Sequence, residues 1–316
     1  MPDLVTIGET MAALSAERVG PLRHARKLDL SVAGAESTVA IGARRLGHTA
    51  GWIGRLGADE LGELVRTTLR GEGVEVHAAA DPTAPTGLMI KERRTADLRR
   101  VHYYRAHSAG SRLCQEDIPH EIVERARVLH VGAITPALSD SAAQAVREAV
   151  RRARSAAVTV SFDANYRAKL WQPAAYRQAV TALLPDVDLL FAGLDEARAL
   201  LHTDRTDPAA LAGLLLKLGP RTVVLTLGAS GALSTGPSGV LRTEAVRVTE
   251  TDPVGAGDSF VAGYLSALLS GLDETARLAR AARVAAYSVS ATGDWEGLPT
   301  ATELAHPPVA GTDINR

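Results

Sequence analysis

Short apolar runs alternate with amphipathic segments through the second half of this 316-residue chain. The runs have the length of strands and lie at Val128–Val131, Val158–Phe162, Leu189–Phe191 and Thr222–Thr226. Helical spacing of apolar residues predicts helices after the first run and near 174–184, 194–202 and 208–218. Strands that alternate with helices build parallel sheets with helices on both faces. The sequence therefore predicts an α/β fold with a doubly wound, mostly parallel sheet flanked by helices.

The N-terminal residues follow the same pattern. Leu4–Ile7 predicts a buried strand, and an amphipathic helix follows residues 33–36 and ends near Gly47. Gly51–Gly54 predicts another strand, and Asp59 predicts the N-cap of the next helix.

Two segments, residues 11–34 and 86–106, interrupt this alternation with short strand-like stretches. We expect them to form a small sheet beside the main domain, a lid over the ligand site, because parallel sheets bind ligands at the carboxyl ends of their strands. There is no linker rich in Pro, Gly or Ser and no internal repeat. Residues 1–316 are therefore predicted to form a single domain.

Composition excludes several classes of function. The formal net charge of −1 supports no general electrostatic attraction to nucleic acid or to an anionic membrane. Cys114 is the single cysteine, so an internal disulfide is excluded and a reducing compartment is favoured. No apolar run approaches the length of about 18 residues that spans a membrane. We expect a cytoplasmic protein.

A glycine-rich stretch, Asp252–Phe260, predicts the chemistry. Val246 and Val248 alternate with polar neighbours before it and predict the last of two or three short strands within 231–248, whereas helical spacing follows it. Bare backbone amides at a helix N-terminus favour an anion. Asp258 beside them is placed to take a proton from a hydroxyl that attacks a phosphate. The alternative is a plain glycine turn with Asp258 as a helix cap.

The segment at 252–260, Asp-Pro-Val-Gly-Ala-Gly-Asp-Ser-Phe, resembles the C-terminal signature of the ribokinase-like (PfkB) sugar kinases. The resemblance implies a ribokinase-like fold, an anion hole formed by Gly255, Ala256 and Gly257, and Asp258 as catalytic base. No Gly-Lys-Ser/Thr phosphate loop is present, so an ordinary P-loop kinase is not expected.

The same resemblance implies ATP and Mg²⁺ and leaves a monovalent cation open. Thr226, Gly228 and Gly231 match its nucleotide-contacting Thr-Leu-Gly-x-x-Gly, and Asn165 is implied beside ATP; a plain hairpin turn is the alternative for the glycines. Glu196 matches half of Asn-x-x-Glu, since Gly193 replaces the asparagine. It is implied as a magnesium ligand through water, and an exposed carboxylate at a helix start is the alternative.

Two arginines, Arg105 and Arg167, indicate that the phosphoryl acceptor is an acid, because guanidinium groups give planar, charge-assisted donors to a carboxylate. Taken alone, either arginine is better explained as a solvated surface residue. The sequences around them resemble those of the 2-keto-3-deoxygluconate kinases, with similar segments at 101–111, 129–139, 163–171 and 293–297. That resemblance places five residues around a sugar acid: Gly34, Tyr103, Arg105, Arg167 and Asp294.

Three further departures from the family's pattern occur: Ala33 and Thr38 replace a glycine and an asparagine of one motif, Met89 replaces a tyrosine, and Ala282 replaces an asparagine. The resemblance still predicts ATP-dependent phosphorylation of the primary hydroxyl of a sugar acid, 2-keto-3-deoxygluconate first. A kinase for a neutral sugar of the fructose or ribose type is the alternative among enzymes. A non-catalytic sugar- or nucleotide-binding regulator is the alternative outside them. Exposed lid edges lead us to expect a homo-oligomer formed through the lid.

Overall fold

The computed structural model describes residues 1–95 and 98–305. Within these residues a nine-stranded sheet has the spatial order β13-β12-β11-β10-β9-β8-β1-β4-β5. Its strands are β1 (Leu4–Ile7), β4 (Ala50–Gly57), β5 (Glu75–Asp81), β8 (Val128–Gly132), β9 (Thr159–Asp163), β10 (Leu189–Gly193), β11 (Thr222–Thr226), β12 (Ala232–Gly236) and β13 (Gly239–Thr243). All neighbours pair parallel except β12 with β11 and β13. The predicted α/β fold with a mostly parallel sheet is confirmed.

Helices cover both faces of this sheet. They are α1 (Ala35–Arg45), α2 (Glu60–Gly71), α3 (His120–Glu124), α4 (Asp140–Ser155), α5 (Pro173–Leu183), α6 (Leu194–Leu201), α7 (Pro208–Leu216), α8 (Ala256–Leu269), α9 (Glu274–Val289) and α10 (Ala301–Ala305). Helices α3 to α7 pack with Val5 and Leu190 on one face, and the other five pack with Leu4 and Leu189 on the opposite face. Because side chains alternate along a strand, strands such as β1 and β10 contribute to both cores.

Four further strands form a second sheet, which we call the small sheet, with the order β3-β2-β6-β7. They are β2 (Met11–Ala16), β3 (Leu28–Ala33), β6 (Leu88–Arg93) and β7 (Arg99–Tyr104). One face carries a small apolar cluster that includes Met11 and Met89. Trp295 fixes the small sheet to the main body, since its Nε1 donates to the carbonyl of Val32 at 3.1 Å.

Local signals in the sequence are recovered at several boundaries. Asp59 caps α2 as predicted, and its carboxylate accepts a hydrogen bond from the Gly62 amide at 2.7 Å. The predicted strand at 246–248 is wrong, because residues 244–250 have no regular secondary structure. There the chain leaves the sheet edge and crosses to the end of α9, where the amides of Thr251 and Asp252 donate to the Val289 carbonyl at 2.7 and 3.2 Å.

Among the described residues, no helix is both long enough and apolar enough to span a membrane.

Candidate active site

A cavity of about 1010 Å³ lies between the carboxyl-end loops of the large sheet and the small sheet. The first turns of α1 and α8 and the loop at 166–170 complete its walls. Seven of the predicted site residues line it: Gly34, Tyr103, Arg105, Arg167, Gly255, Asp258 and Asp294. The fold therefore brings together residues that are up to 260 positions apart in sequence.

Asp258 is the third residue of α8, and its carboxylate faces the cavity. It does not cap the helix, whose N-cap is Gly255, and no described residue donates a hydrogen bond to it. Burial raises the pKa of Asp258 to about 7, against the nearby charge of Arg167, while Asp294 and Glu196 raise it further. A carboxylate that is free of structural partners and has this pKa is suited to general base chemistry near neutral pH.

The turn before α8 leaves backbone donors available. Gly255 has φ 81°, in the left-handed region that favours glycine. The Ala256 amide donates to the carbonyl of Pro253 at 3.3 Å, whereas the amides of Gly255 and Gly257 have no acceptor among the described residues. Two bare amides at the N-terminus of a 14-residue helix form a site suited to an anion.

Arg105 is buried in the cavity wall at 9% exposure, so it is not a solvated surface residue. Its Nε and Nη2 both donate to Oε2 of Glu9, at 2.7 and 2.5 Å. Ser108 also donates to the Glu9 carboxylate. The guanidinium carbon lies 5.7 Å from the ring centre of Tyr103, whose strand partner Met89 also lines the cavity. Glu9 therefore fixes the guanidinium through two nitrogens and leaves Nη1 for a ligand.

Arg167 has a looser environment. Its side chain is 44% exposed, its Nη1 donates to the carbonyl of Tyr166 at 3.3 Å, and the same nitrogen lies 3.9 Å from Oε1 of Glu196. It is close enough to Asp258 to lower the pKa of that carboxylate. Arg167 thus lines the cavity as a cation without a close ion-pair partner.

Asp294 and Gly34 lie on the side of the cavity where α1, α8 and the small sheet meet. The Asp294 carboxylate forms an ion pair with Lys91 of β6, and both side chains are nearly buried. Burial raises the pKa of Asp294, and Lys91 opposes that shift. A β-carbon on Gly34 would lie 2.7 Å from the Glu9 carbonyl oxygen, so this position has no room for a side chain.

The predicted nucleotide and metal residues lie along the carboxyl ends of β9 and β10. Asn165 has φ 30°, and its amide and Nδ2 donate to Asp163 at 3.2 and 3.3 Å, while its buried Oδ1 has no partner among the described residues. Glu196 accepts hydrogen bonds from the amides of Tyr166 at 2.9 Å and Gly193 at 2.7 Å. Glu196 therefore caps α6 and also joins the Asp163 loop to β10.

The glycine turn after β11 has a structural requirement of its own. Gly228 and Gly231 have φ of 57° and 87°, and a β-carbon on Gly231 would overlap the carbonyl oxygen of Thr243. Thr226 ends β11 in register with Gly193 of β10. The hairpin alternative thus explains Gly231 in part, while all three predicted residues lie at the same edge of the sheet as Glu196.

Comparison with known proteins decides the family. The pattern of the pfkB family carbohydrate kinases matches residues 1–301. The chain belongs to this family. It is 37% identical to a 2-dehydro-3-deoxygalactonokinase from Haloferax volcanii, over 92% of each chain. It is 38% identical to a 2-dehydro-3-deoxygluconokinase from Thermoproteus tenax, over 96% of this chain and 93% of that protein.

Solved structures agree on the kinase fold. A PfkB protein from Polaromonas sp. JS666 has a TM-score of 0.88 and 38% identity, covering 97% of this chain and all of that one. A putative ribokinase II from E. coli, solved in complex with ATP and Mg²⁺, has a TM-score of 0.89 at 23% identity, covering 96% and 98% of the two chains. The predicted ribokinase-like fold is confirmed.

The described part of this kinase has no preformed cage for a metal ion. Among residues 1–95 and 98–305, no three His, Cys, Asp or Glu side chains are grouped to hold one. Mg²⁺ in kinases is held through phosphate oxygens, water and one or two carboxylates, so the donor set of Asp163 and Glu196 fits such an ion. Burial raises the pKa of Asp163, and the negative charges of Glu196 and Asp258 raise it further. A bound cation would favour the ionised form of this carboxylate.

Sequence reasoning missed several charged residues of this site: Glu9, Glu36 and Lys169 line the cavity, and Lys91 pairs with Asp294 in its wall. Glu9 and Glu36 each directly follow a small residue at a predicted strand end or helix start, which was the available signal. Lys91 lies in a strand with no such signal. Of the departures, Met89 lines the cavity, Thr38 is buried with an unpartnered hydroxyl, and Ala282 is buried in α9.

Proposed function

We propose that this kinase transfers the γ-phosphoryl group of ATP to the primary hydroxyl of a sugar acid, 2-keto-3-deoxygluconate giving its 6-phosphate. The observation that carries the proposal is the unpartnered Asp258 carboxylate in a cavity whose walls also hold Arg105 and Arg167. The two relatives act, by their names, on acids that differ in the configuration of one hydroxyl. We take the gluco acid as the first candidate.

In the proposed reaction, Asp258 accepts the proton of the acceptor's hydroxyl as that oxygen bonds to the γ-phosphorus and ADP departs. The amides of Gly255 and Gly257, with that of Ala256 once it leaves Pro253, donate to the phosphoryl oxygens as charge develops. Loss of one such donor costs about 3 kcal/mol of transition-state stabilisation. Asp163, and Glu196 through water, would hold Mg²⁺ bound with the nucleotide, and that ion would neutralise phosphate charge.

The acceptor's carboxylate is assigned to Arg167 and to the free Nη1 of Arg105. Glu9 already balances the single positive charge of Arg105. Arg167 therefore supplies most of the net electrostatic attraction for the acceptor's carboxylate. Gly34, Tyr103 and Asp294 complete the acceptor's surroundings. Asn165 and the turn that contains Thr226, Gly228 and Gly231 are assigned to ATP, since the buried Oδ1 of Asn165 still needs a donor.

A coupled ADP-release assay over a dozen sugars and sugar acids tests this function. We expect the acid to be the best acceptor and Arg167→Ala to raise its KM by about ten-fold or more while the KM for ATP changes little. Preference for fructose or ribose, with an acceptor KM that ignores Arg167→Ala, would establish the neutral-sugar alternative. Calorimetric binding of a sugar without ADP release would establish a binding protein.

We also propose that the small sheet closes over the acceptor as a lid, excludes water and joins a second copy of the chain. Its outer strands β3 and β7 are sheet edges and expose Leu30 and Tyr104 at 53% and 61%. Leu30→Glu would then yield a smaller species than the wild type in sedimentation velocity. An unchanged molar mass would reject this interface.

A further inference from the structure

Glu36 is a buried carboxylate for which the proposed reaction has no role. It is the second residue of α1, it lines the cavity, and it is 2% exposed. Within the described residues it forms no ion pair with Lys, Arg or His. An acid in the first turn of a helix is favourable, but an exposed acid has the same benefit without the cost of burial. Helix stabilisation alone therefore does not explain its position.

Two adjacent strands end in glycine and thereby leave room for this carboxylate. A β-carbon on Gly8, directly after β1, would overlap Oε2 of Glu36. A β-carbon on Gly132, the last residue of β8, would lie 3.1 Å from Oε1. Neither glycine has a positive φ, so the backbone conformation does not require glycine at either position. The space held for the carboxylate is the remaining physical requirement.

The charges around Glu36 come from three other elements. Burial raises the pKa of Glu36 to about 7; its own backbone amide and Arg105 lower it, while Asp258 on α8 and Glu9 after β1 raise it. The Glu36 carboxyl is thus influenced electrostatically by Asp258, to which the acceptor's reacting hydroxyl is assigned. It is also influenced by Arg105, to which the acceptor's carboxylate is assigned. Glu36, Asp258 and Arg105 all line the same cavity, so an acceptor that fills the cavity and contacts Asp258 and Arg105 can also reach Glu36.

We propose that the Glu36 carboxyl hydrogen-bonds a hydroxyl in the middle of the acceptor and so determines which sugars are aligned with Asp258. This inference rests on the proposed kinase function and deepens it by naming a specificity-determining residue. A buried polar group of this kind rejects analogues that lack the matching hydroxyl, because such analogues leave it unpaired.

The test compares Glu36→Gln with Glu36→Met, a near-isosteric apolar replacement. We expect Glu36→Met to raise the acceptor KM by about ten-fold or more and to leave the KM for ATP within about two-fold. Glu36→Gln, which can still hydrogen-bond, should retain most of the affinity. Glu274→Gln is the matched control, because Glu274 is a buried carboxylate outside the cavity that bonds Tyr264. Thermal melts establish that each variant is folded.

A second measurement uses acceptor analogues that each lack one hydroxyl. One of them should lose affinity for the wild type but bind Glu36→Met as well as the full acceptor does. If the acceptor KM of folded Glu36→Met equals that of the wild type, or if every analogue loses affinity equally in both proteins, the inference is overturned. The acceptor used is the best one in the panel, acid or neutral, so rejection of the acid leaves the Glu36 result readable. No turnover of any acceptor would overturn both.

Discussion

The carbonyl oxygen of Asp294 occupies the position that a β-carbon on Gly255 would need. Gly255 precedes α8 and Asp258, and the Asp294 side chain forms an ion pair with Lys91 of the small sheet. One residue therefore contacts the glycine turn through its backbone and the small sheet through its carboxylate. Asp294 therefore connects the small sheet to the turn that carries the bare amides.

Gly255→Ala should damage this turn in two ways. The alanine would have to adopt φ 81° and would displace the Asp294 carbonyl, which we expect to cost about 1–3 kcal/mol in the free energy of unfolding. Turnover should fall by on the order of 100-fold, since displacement of a positioning group by about 1 Å has that effect. Gly257→Ala is the control for stability, because nothing lies within 4 Å of its would-be β-carbon and φ is helical. Equal urea midpoints for the two variants would contradict this account.

Asp258→Asn tests the base directly. The amide keeps the shape of the side chain but accepts no proton, so kcat should fall by about 10²- to 10⁴-fold while the KM values for both substrates change little. Asp195→Asn controls for the loss of one acidic charge, because that side chain is 94% exposed on α6. Turnover near that of the wild type would remove Asp258 from the mechanism.

The pH dependence of kcat/KM should report the same carboxylate. Because the base must be ionised and its pKa is raised to about 7, activity should rise with pH through about 7 and then level off. Arg167 lowers that pKa, so Arg167→Ala should move the rising limb to higher pH, whatever it does to acceptor affinity. A limb that stays in place, or that moves to lower pH, would show that another group limits the rate.

The raised pKa of Asp258 also determines how the unfolding free energy changes with pH. The carboxyl holds its proton more tightly in the folded chain than at its ordinary pKa of 3.8 in the unfolded chain, so its contribution is present below about pH 4 and is lost as pH rises to about 7. Asp258→Asn does not incur this loss. In urea titrations, the variant's advantage in unfolding free energy should therefore grow between about pH 4 and 7 and stay constant above. An advantage that shrinks over this range would contradict the buried environment.

Local features of the fold were predictable because they depend on neighbours in sequence. The Asp59 cap, the strands at Leu4–Ile7 and Thr222–Thr226, and the helix that starts at the glycine turn all follow from spacing and capping chemistry. Strand β5 at Glu75–Asp81 was missed. It pairs with β4 alone at the sheet edge, so small and polar residues suffice there and the alternation is weak.

The site was predictable only as far as its motifs extend. Asp258 and the glycine turn lie within nine consecutive residues, so their proximity in space follows directly from the sequence. The pairs Arg105–Glu9 and Lys91–Asp294 join residues 96 and 203 positions apart, and neither partner has a local signal for the other. The family resemblance assigned Arg105 and Asp294 to a ligand, whereas packing also gives each of them a protein partner.

The ion pair of Lys91 with Asp294 leads to a final prediction. Both side chains are about 10% exposed, so Lys91→Met leaves a nearly buried carboxylate without its cation, which should cost about 3 kcal/mol in unfolding free energy. Because Asp294 lines the cavity and its carbonyl abuts Gly255, the same change should also raise the acceptor KM. Adding Asp294→Asn should recover much of the stability but not the KM, since the amide carries no charge to bury yet the sugar-facing side chain has changed. Arg151→Met at an exposed pair with Glu148 is the control and should leave the urea midpoint unchanged. Strict additivity of the Lys91 and Asp294 substitutions in a double-mutant cycle would mean that the pair is not coupled.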